Sequence, residues 1–181
     1  MESQNTKKLQ IPISKARAGN KEAFKEIFEH LNNRLFSYAF AHTSNRDDAL
    51  DLTQDTFIDI WNGLKKLEYK SDEEFYAYVF VILKRKLFHH HKNNSKFKTV
   101  SLEDIHTNQG YEMKINNEHN LLKHINSLGE KYREVLKLRY WSDMKLKDIA
   151  VVLQTTENTA KVWHHRALNE LRNNLEKYDN I

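Results

Sequence analysis

An all-α chain, two small helical domains joined by a polar linker with the C-terminal one a helix-turn-helix, is what these 181 residues should form. Glycine and proline number only four and one, too few for the turns that strands and hairpins need. Apolar residues recur at spacings of three and four over most of the chain, the period of helices with one buried face. One stretch, residues 93–118, loses that periodicity and turns polar, which separates a first domain, 1–92, from a second, 119–181. Cysteine is absent, which removes disulfides and thiolate metal sites. No apolar run reaches membrane-spanning length and the start, Met1 to Gln10, has no apolar signal region, so a cytoplasmic location is expected.

The first long helix should run from Lys21 to His42, with Ala23, Phe24, Ile27, Phe28, Leu31, Leu35, Tyr38 and Ala39 as its buried stripe. Ser44 or Asn45 can cap the next helix, which continues to about Leu67. Its expected core positions are Leu50, Thr53, Phe57, Ile60 and Leu64, leaving Asp47, Asp51 and Asp55 on the opposite side with Gln54 and Ile58 beside them. A third helix, capped by Ser71 or Asp72, should start near Phe75 and enter "KRKLFHHHKNNSKFK", which has six Lys or Arg, three His and no acid. In the second domain two helices divide around Gly129. Leu146, Ile149, Ala150 and Leu153 then make an apolar face, and a break at Thr155–Thr156 leads into a helix with Ala160, Trp163, Ala167, Leu168 and Leu171 inward. Thr156 and Thr159 suggest a cap at its start.

Helix, tight turn and helix is the geometry that delivers a second helix to the DNA major groove. Small Ala150 lets the two helices approach closely. The outer side of the second helix would carry Asn158, Lys161, Val162, His165, Arg166 and Asn169, of which Lys and Arg suit phosphates while Asn and Arg also suit base edges. The basic run is a second electrostatic footprint for nucleic acid, or a solvated helix end. His89, His90 and His91 point in three directions on a helix and cannot share one ion, so no metal site is expected. A Gly-rich phosphate loop and a nucleophile elbow are both missing, so no catalytic residue is assigned. "DALDLTQDTFIDIW" is the anomaly, with four Asp in a chain of net charge +4. Acids beside exposed Ile58 and Trp61 suggest a docking surface, because aromatic anchors dominate interface energies.

Three segments in order resemble the extracytoplasmic-function, or group IV, sigma factors of bacterial RNA polymerase. "DDALDLTQDTFIDIW" is similar to region 2.2, "FYAYVFVILKRKLFHHHK" to regions 2.3 and 2.4, and "INSLGEKYREVLKLRYWSDMKLKDIAVVLQTTENTAKVWHHRALNELR" to region 4. The resemblance implies that Asp51, Gln54, Asp55, Ile58 and Trp61 bind the polymerase core at the β′ clamp helices, with the β subunit as a further contact. It implies that Tyr69 and Lys70 in a loop, with Lys84, Arg85, Lys86, His89 and Lys92 on the following helix, engage the minus-ten promoter element. Thr156, Asn158, Thr159, Lys161, Val162, His165 and Arg166 would read the minus-thirty-five element. An anti-sigma factor is the implied regulator, the free protein is expected to be a monomer, and neither cofactor nor small-molecule substrate is implied. Departures from the family pattern are Tyr78 for Trp, Gly129 where Leu-Pro is common, Arg85 and His89 where Asn or Asp is common, and Gln154 for Gly. Trp163 and His164 exchange the usual polar and apolar positions.

Two other readings stay open on the residues alone. A stand-alone helix-turn-helix regulator would bind a palindromic duplex as a dimer. A metal-dependent hydrolase would use Asp47, Asp51 and Asp55 and bind divalent cations.

Overall fold

The structure, a computed structural model, describes residues 9–97 and 121–179, and among these there is no strand. Eight helices are introduced in chain order: α1 (Gln10–Arg17), α2 (Lys21–Thr43), α3 (Arg46–Gly63), α4 (Asp72–Phe97), α5 (described over 121–126), α6 (Glu130–Tyr140), α7 (Leu146–Val152) and α8 (Glu157–Asp179). A short 3-10 turn, Leu64–Lys66, extends α3.

Caps set the boundaries. The Asn20 side chain accepts from the Ala23 amide and starts α2, and Asn45 accepts from the amides of Asp47 and Asp48 and starts α3. Ser44 instead closes α2 in a left-handed conformation, φ 54°. Ser71 Oγ accepts from the Glu74 amide, so α4 begins at Asp72, three residues before the expected Phe75. The helix also continues to Phe97, past Asn93 where polar composition suggested linker. The residues from 98 to 120, including His119 where the second domain was expected to begin, lie outside the described ones.

Helices α1 to α4 form one bundle, with α2 packed on α1, α3 and α4 and α3 on α4. Helices α6, α7 and α8 form a second bundle. The α2 stripe is buried as expected at Ala23, Ile27, Leu31, Leu35, Tyr38 and Ala39, whereas Phe24 is half-buried and Phe28 exposed. In α3 the expected Leu50 is exposed, and Ala49, Leu52 and Thr56 are inside with Thr53, Phe57, Ile60 and Leu64. The buried threonines satisfy their hydroxyls locally, Thr53 on the Ala49 carbonyl and Thr56 on the Leu52 carbonyl, so they can sit in a core.

The two bundles pack directly against each other. Helix α4 lies on α7, α2 touches α6, and a continuous apolar core runs from Leu9 and Ile27 through Phe80 and Leu83 to Val135, Ile149 and Leu171. Polar links cross the same boundary: Ser142 Oγ donates to the Arg34 carbonyl at 3.3 Å and Lys147 Nζ to Glu73 Oε1 at 2.5 Å.

Candidate nucleic-acid interface

The acid face of α3 is real. Asp47, Asp51, Gln54 and Asp55 are exposed along one side, and Ile58 follows them at 57% exposure. Trp61 differs from expectation: it is half-buried, its ring 4.9 Å from Phe24 in an edge-to-face contact, and so is a wall of the bundle and not a free anchor. Part of the acidity is answered within the chain. Lys86 Nζ lies 2.9 Å from Asp59 and 3.9 Å from Asp55, and His90 Nε2 lies 3.2 Å from Asp48. Among the described residues Asp51 forms no ion pair, so it stands at the front of the acid face. Nor do those residues bring three His, Asp or Glu side chains together as a metal site would need.

The candidate minus-ten residues divide by helical geometry. Arg85, His89 and Lys92 follow one another at i, i+4 and i+7 on the exposed side of α4. Lys84 and Lys86 flank that row on opposite sides, and both are held: Lys86 by Asp59, and Lys84 by Glu134 of α6 at 3.2 Å. Lys70 is exposed. Tyr69 is half-buried and donates to Asp72 Oδ1 at 2.7 Å, the oxygen that also accepts the Leu9 amide at 3.0 Å. Burial, and then the hydrogen bond to Asp72, keep the Tyr69 phenol well above its usual pKa.

Helices α7 and α8 form the helix-turn-helix. The turn closes through the Thr155 amide to the Ala150 carbonyl at 2.8 Å, with Gln154 in the left-handed region at φ 52°. Thr156 Oγ1 accepts from the Thr159 amide and exchanges a hydrogen bond with the Thr159 hydroxyl, so this pair caps α8. Asn158, Lys161, Val162, His165, Arg166 and Asn169 are exposed together, as the spacing predicts, while Thr159 is half-buried. Lys161 pairs with Glu157 at 2.7 Å and His165 with Asn169 at 3.2 Å, so three of the outward side chains are prepositioned. The two unusual residues face α6 instead. Lys131 Nζ lies 5.8 Å above the Trp163 ring, and His164 Nε2 is 3.1 Å from the Tyr140 hydroxyl, with the rings stacked. Burial keeps the His164 imidazole below its ordinary pKa, so it fills an inward position as a neutral ring.

Sequence reasoning missed the group where α2, α4 and α6 meet. Glu134, 5% exposed, accepts from the Tyr38 hydroxyl at 2.5 Å and pairs with Lys84; His42 Nε2 lies 3.3 Å from its Oε1 without hydrogen-bond geometry. Burial alone would raise the Glu134 carboxyl, but the Lys84 charge and the Tyr38 hydrogen bond outweigh it and keep it ionised. Burial, then the Lys137 charge, push His42 down to about 3, so that ring is neutral. No local signal marks these residues, because Tyr38 and Glu134 are 96 positions apart.

A helix-turn-helix with an outward polar face, beside a bundle bearing separate acidic and basic faces, defines a DNA-binding transcription protein with a second macromolecular partner. The comparisons with known proteins then fix the family. Residues 27–97 match the Sigma-70 region 2 family and residues 118–171 the Sigma-70, region 4 family, together well over half of the chain. The chain is 27% identical to the RNA polymerase sigma factor SigV of Bacillus subtilis over 145 residues, 80% of this chain and 86% of that one. It is 22% identical to the ECF RNA polymerase sigma factor BldN of Streptomyces coelicolor, covering 88% of this chain and 62% of that one. Among solved structures, the sigma factor RpoE of Bartonella quintana in complex with the anti-sigma factor NepR matches with a TM-score of 0.62 and 25% identity, over 84% of this chain and 96% of that one. The chain belongs to the sigma-70 family, within its extracytoplasmic-function group. It is a promoter-specificity subunit, a transcription initiation factor that directs RNA polymerase to promoters. The stand-alone regulator is not favoured. No helix among the described residues is long and apolar enough to cross a membrane.

Proposed function

We propose that the subunit divides its work as three stretches: 1–92 for polymerase and minus-ten binding, 93–118 as the tether, and 119–181 for the minus-thirty-five element. Asp51, Gln54, Asp55, Ile58 and Trp61 meet the β′ clamp helices, with Trp61 acting by fixing the helix and Ile58 by direct contact. The observation that carries this is the unpaired, exposed Asp51 beside exposed Ile58 on α3. Electrostatic complementarity with a basic partner speeds docking and sets its register. Arg85, His89 and Lys92, with Lys70, hold the melted minus-ten strand; Tyr69 contributes its ring, and Lys84 and Lys86 add phosphate contacts once released from their carboxylates. Thr156, Asn158, Thr159, Lys161, Val162, His165 and Arg166 serve the minus-thirty-five duplex, Thr156 and Thr159 through the cap they form. The chain has no chemistry of its own and acts in the cytoplasm as a monomer until it joins the polymerase. An anti-sigma factor is its regulator, which the complex of the related RpoE with NepR supports.

Asp51→Lys with Asp55→Lys tests the polymerase face. The double variant should lose co-migration with core RNA polymerase, by about a hundredfold in affinity for two reversed interfacial charges. It should keep the wild-type circular dichroism spectrum and melting temperature. Normal co-migration would remove α3 from the polymerase interface.

A further inference from the structure

Between the two bundles lies a cleft of about 410 Å³, walled by α2, α4 and α6. Its cations are Lys84, Arg133 and Lys137, with His42 and His91 beside them, and its acids are Glu130 and Glu134. Glu134 is already engaged by Tyr38 and Lys84. Lys137 is the anomaly. It is 2% exposed and lines the cleft, its ammonium reaching solvent there; the Glu134 charge acts on it, but no hydrogen bond or ion pair with the described residues holds it. Arg133 stands one turn away, half-buried, and one of its guanidinium nitrogens donates to the Asn126 carbonyl at 3.1 Å.

A lysine whose stem is buried to this degree, with its ammonium left only the cleft to open into and no carboxylate in hydrogen-bond range, is costly to hold in place. Its burial is intelligible if the acceptor is a ligand. We propose that the cleft binds a small phosphorylated anion, with Lys137 as the buried point charge, Arg133 as the planar fork and Lys84 at the rim. A lysine and an arginine converging from one helix turn suit the several oxygens of a phosphoryl group. The volume lies in the range of small-ligand sites, roughly 300–1,000 Å³, so the occupant is a compact molecule and not a nucleic-acid strand. Burial pushes the Lys137 amine down to about 8 even though the Glu134 charge opposes the shift, which fits a cation that the chain itself answers only in part. The ligand would touch α4 and α6 at once, and so would bridge the two bundles where Lys84 meets Glu134.

Calorimetric titration of the full chain with inorganic pyrophosphate, against sodium chloride of equal ionic strength, tests the site. Saturable binding of one pyrophosphate per chain is expected, weakened by about tenfold or more in Lys137→Met, where one charge-assisted contact is lost. Arg166→Ala, on the outward face of α8, should bind like the unaltered chain. Arg133→Gln gives the same reading as Lys137→Met should the latter fail to fold. Binding that is unsaturable, unchanged in both cleft variants, or lost in Arg166→Ala overturns the proposal, the last by assigning it to the helix-turn-helix.

Discussion

At Gly63, the last residue of α3, an added Cβ would run into the Tyr78 hydroxyl oxygen, while the ring carbon bearing it would stay 3.5 Å away, an ordinary contact. Gly63→Ala therefore sets a clash of about 1–3 kcal/mol against a helix-propensity gain of up to about 1 kcal/mol. A net loss of stability is expected. Adding Tyr78→Phe removes the clashing atom, and the double variant should recover most of that loss in urea unfolding. Failure to recover would mean that the obstacle is backbone, not the hydroxyl. The sequence offered Tyr78 only as a departure from a family Trp; its dependence on Gly63, fifteen positions away, is a fact of packing. The same holds for Leu50 and Phe28. Both sat on a plausible apolar stripe, but the period allows a stripe to shift by one residue, and only the neighbours decide that Ala49 and Leu52 face inward.

Elements were more legible than residues. All of the expected helices exist, because spacing over three or more turns is a strong signal and because Asn45, Ser71 and Thr156 mark starts with real caps. The ends were less legible: α4 runs through Asn93 to Phe97 although its composition there is polar. The outward row on α8 was read correctly since an exposed face needs no partner to define it. Gln154 was legible as a turn residue out of type, and its φ of 52° shows the consequence, a residue with a Cβ where glycine is at ease. Gln154→Gly should relieve left-handed strain of roughly 1 kcal/mol, partly offset by added freedom of the unfolded chain. A rise of a few degrees in melting temperature, with unchanged circular dichroism, is the expected outcome; a fall would show that the Gln154 side chain contributes contacts worth more than the strain.

At the scale of the molecule, two domains were foreseeable but their union was not. Composition separates 1–92 from 119–181, yet the join between the bundles sets buried charges beside a shared apolar core, and charges on a helix read as solvent-facing until a partner 96 positions away is known. That join should be acid-sensitive. His42 is held neutral with a pKa near 3 against an ordinary 6.5, so folding carries no cost from it above pH 6.5, and a growing cost as pH falls through that window. Glu134, held below its ordinary 4.5, contributes stability above that value and loses it at lower pH, in the same sense. Small-angle scattering should show the radius of gyration rising between pH 7 and pH 4. Glu134→Ala, which leaves the buried Tyr38 hydroxyl and half-buried Lys84 without their acceptor at a cost of about 1–3 kcal/mol, should move that expansion toward neutral pH. A radius independent of both pH and Glu134 would show that the apolar contacts alone hold the bundles together.

In this arrangement Glu134 holds the Lys84 ammonium at the boundary between the bundles. A phosphate that needs Lys84 released from Glu134 competes with the packed form, so its apparent affinity is the intrinsic affinity multiplied by the fraction of molecules with the bundles apart. Each factor of ten in that fraction is about 1.4 kcal/mol of bundle-to-bundle attraction. The strength of the join is thus a dial on occupancy elsewhere, adjustable by substitutions on α6 that no bound partner would ever touch.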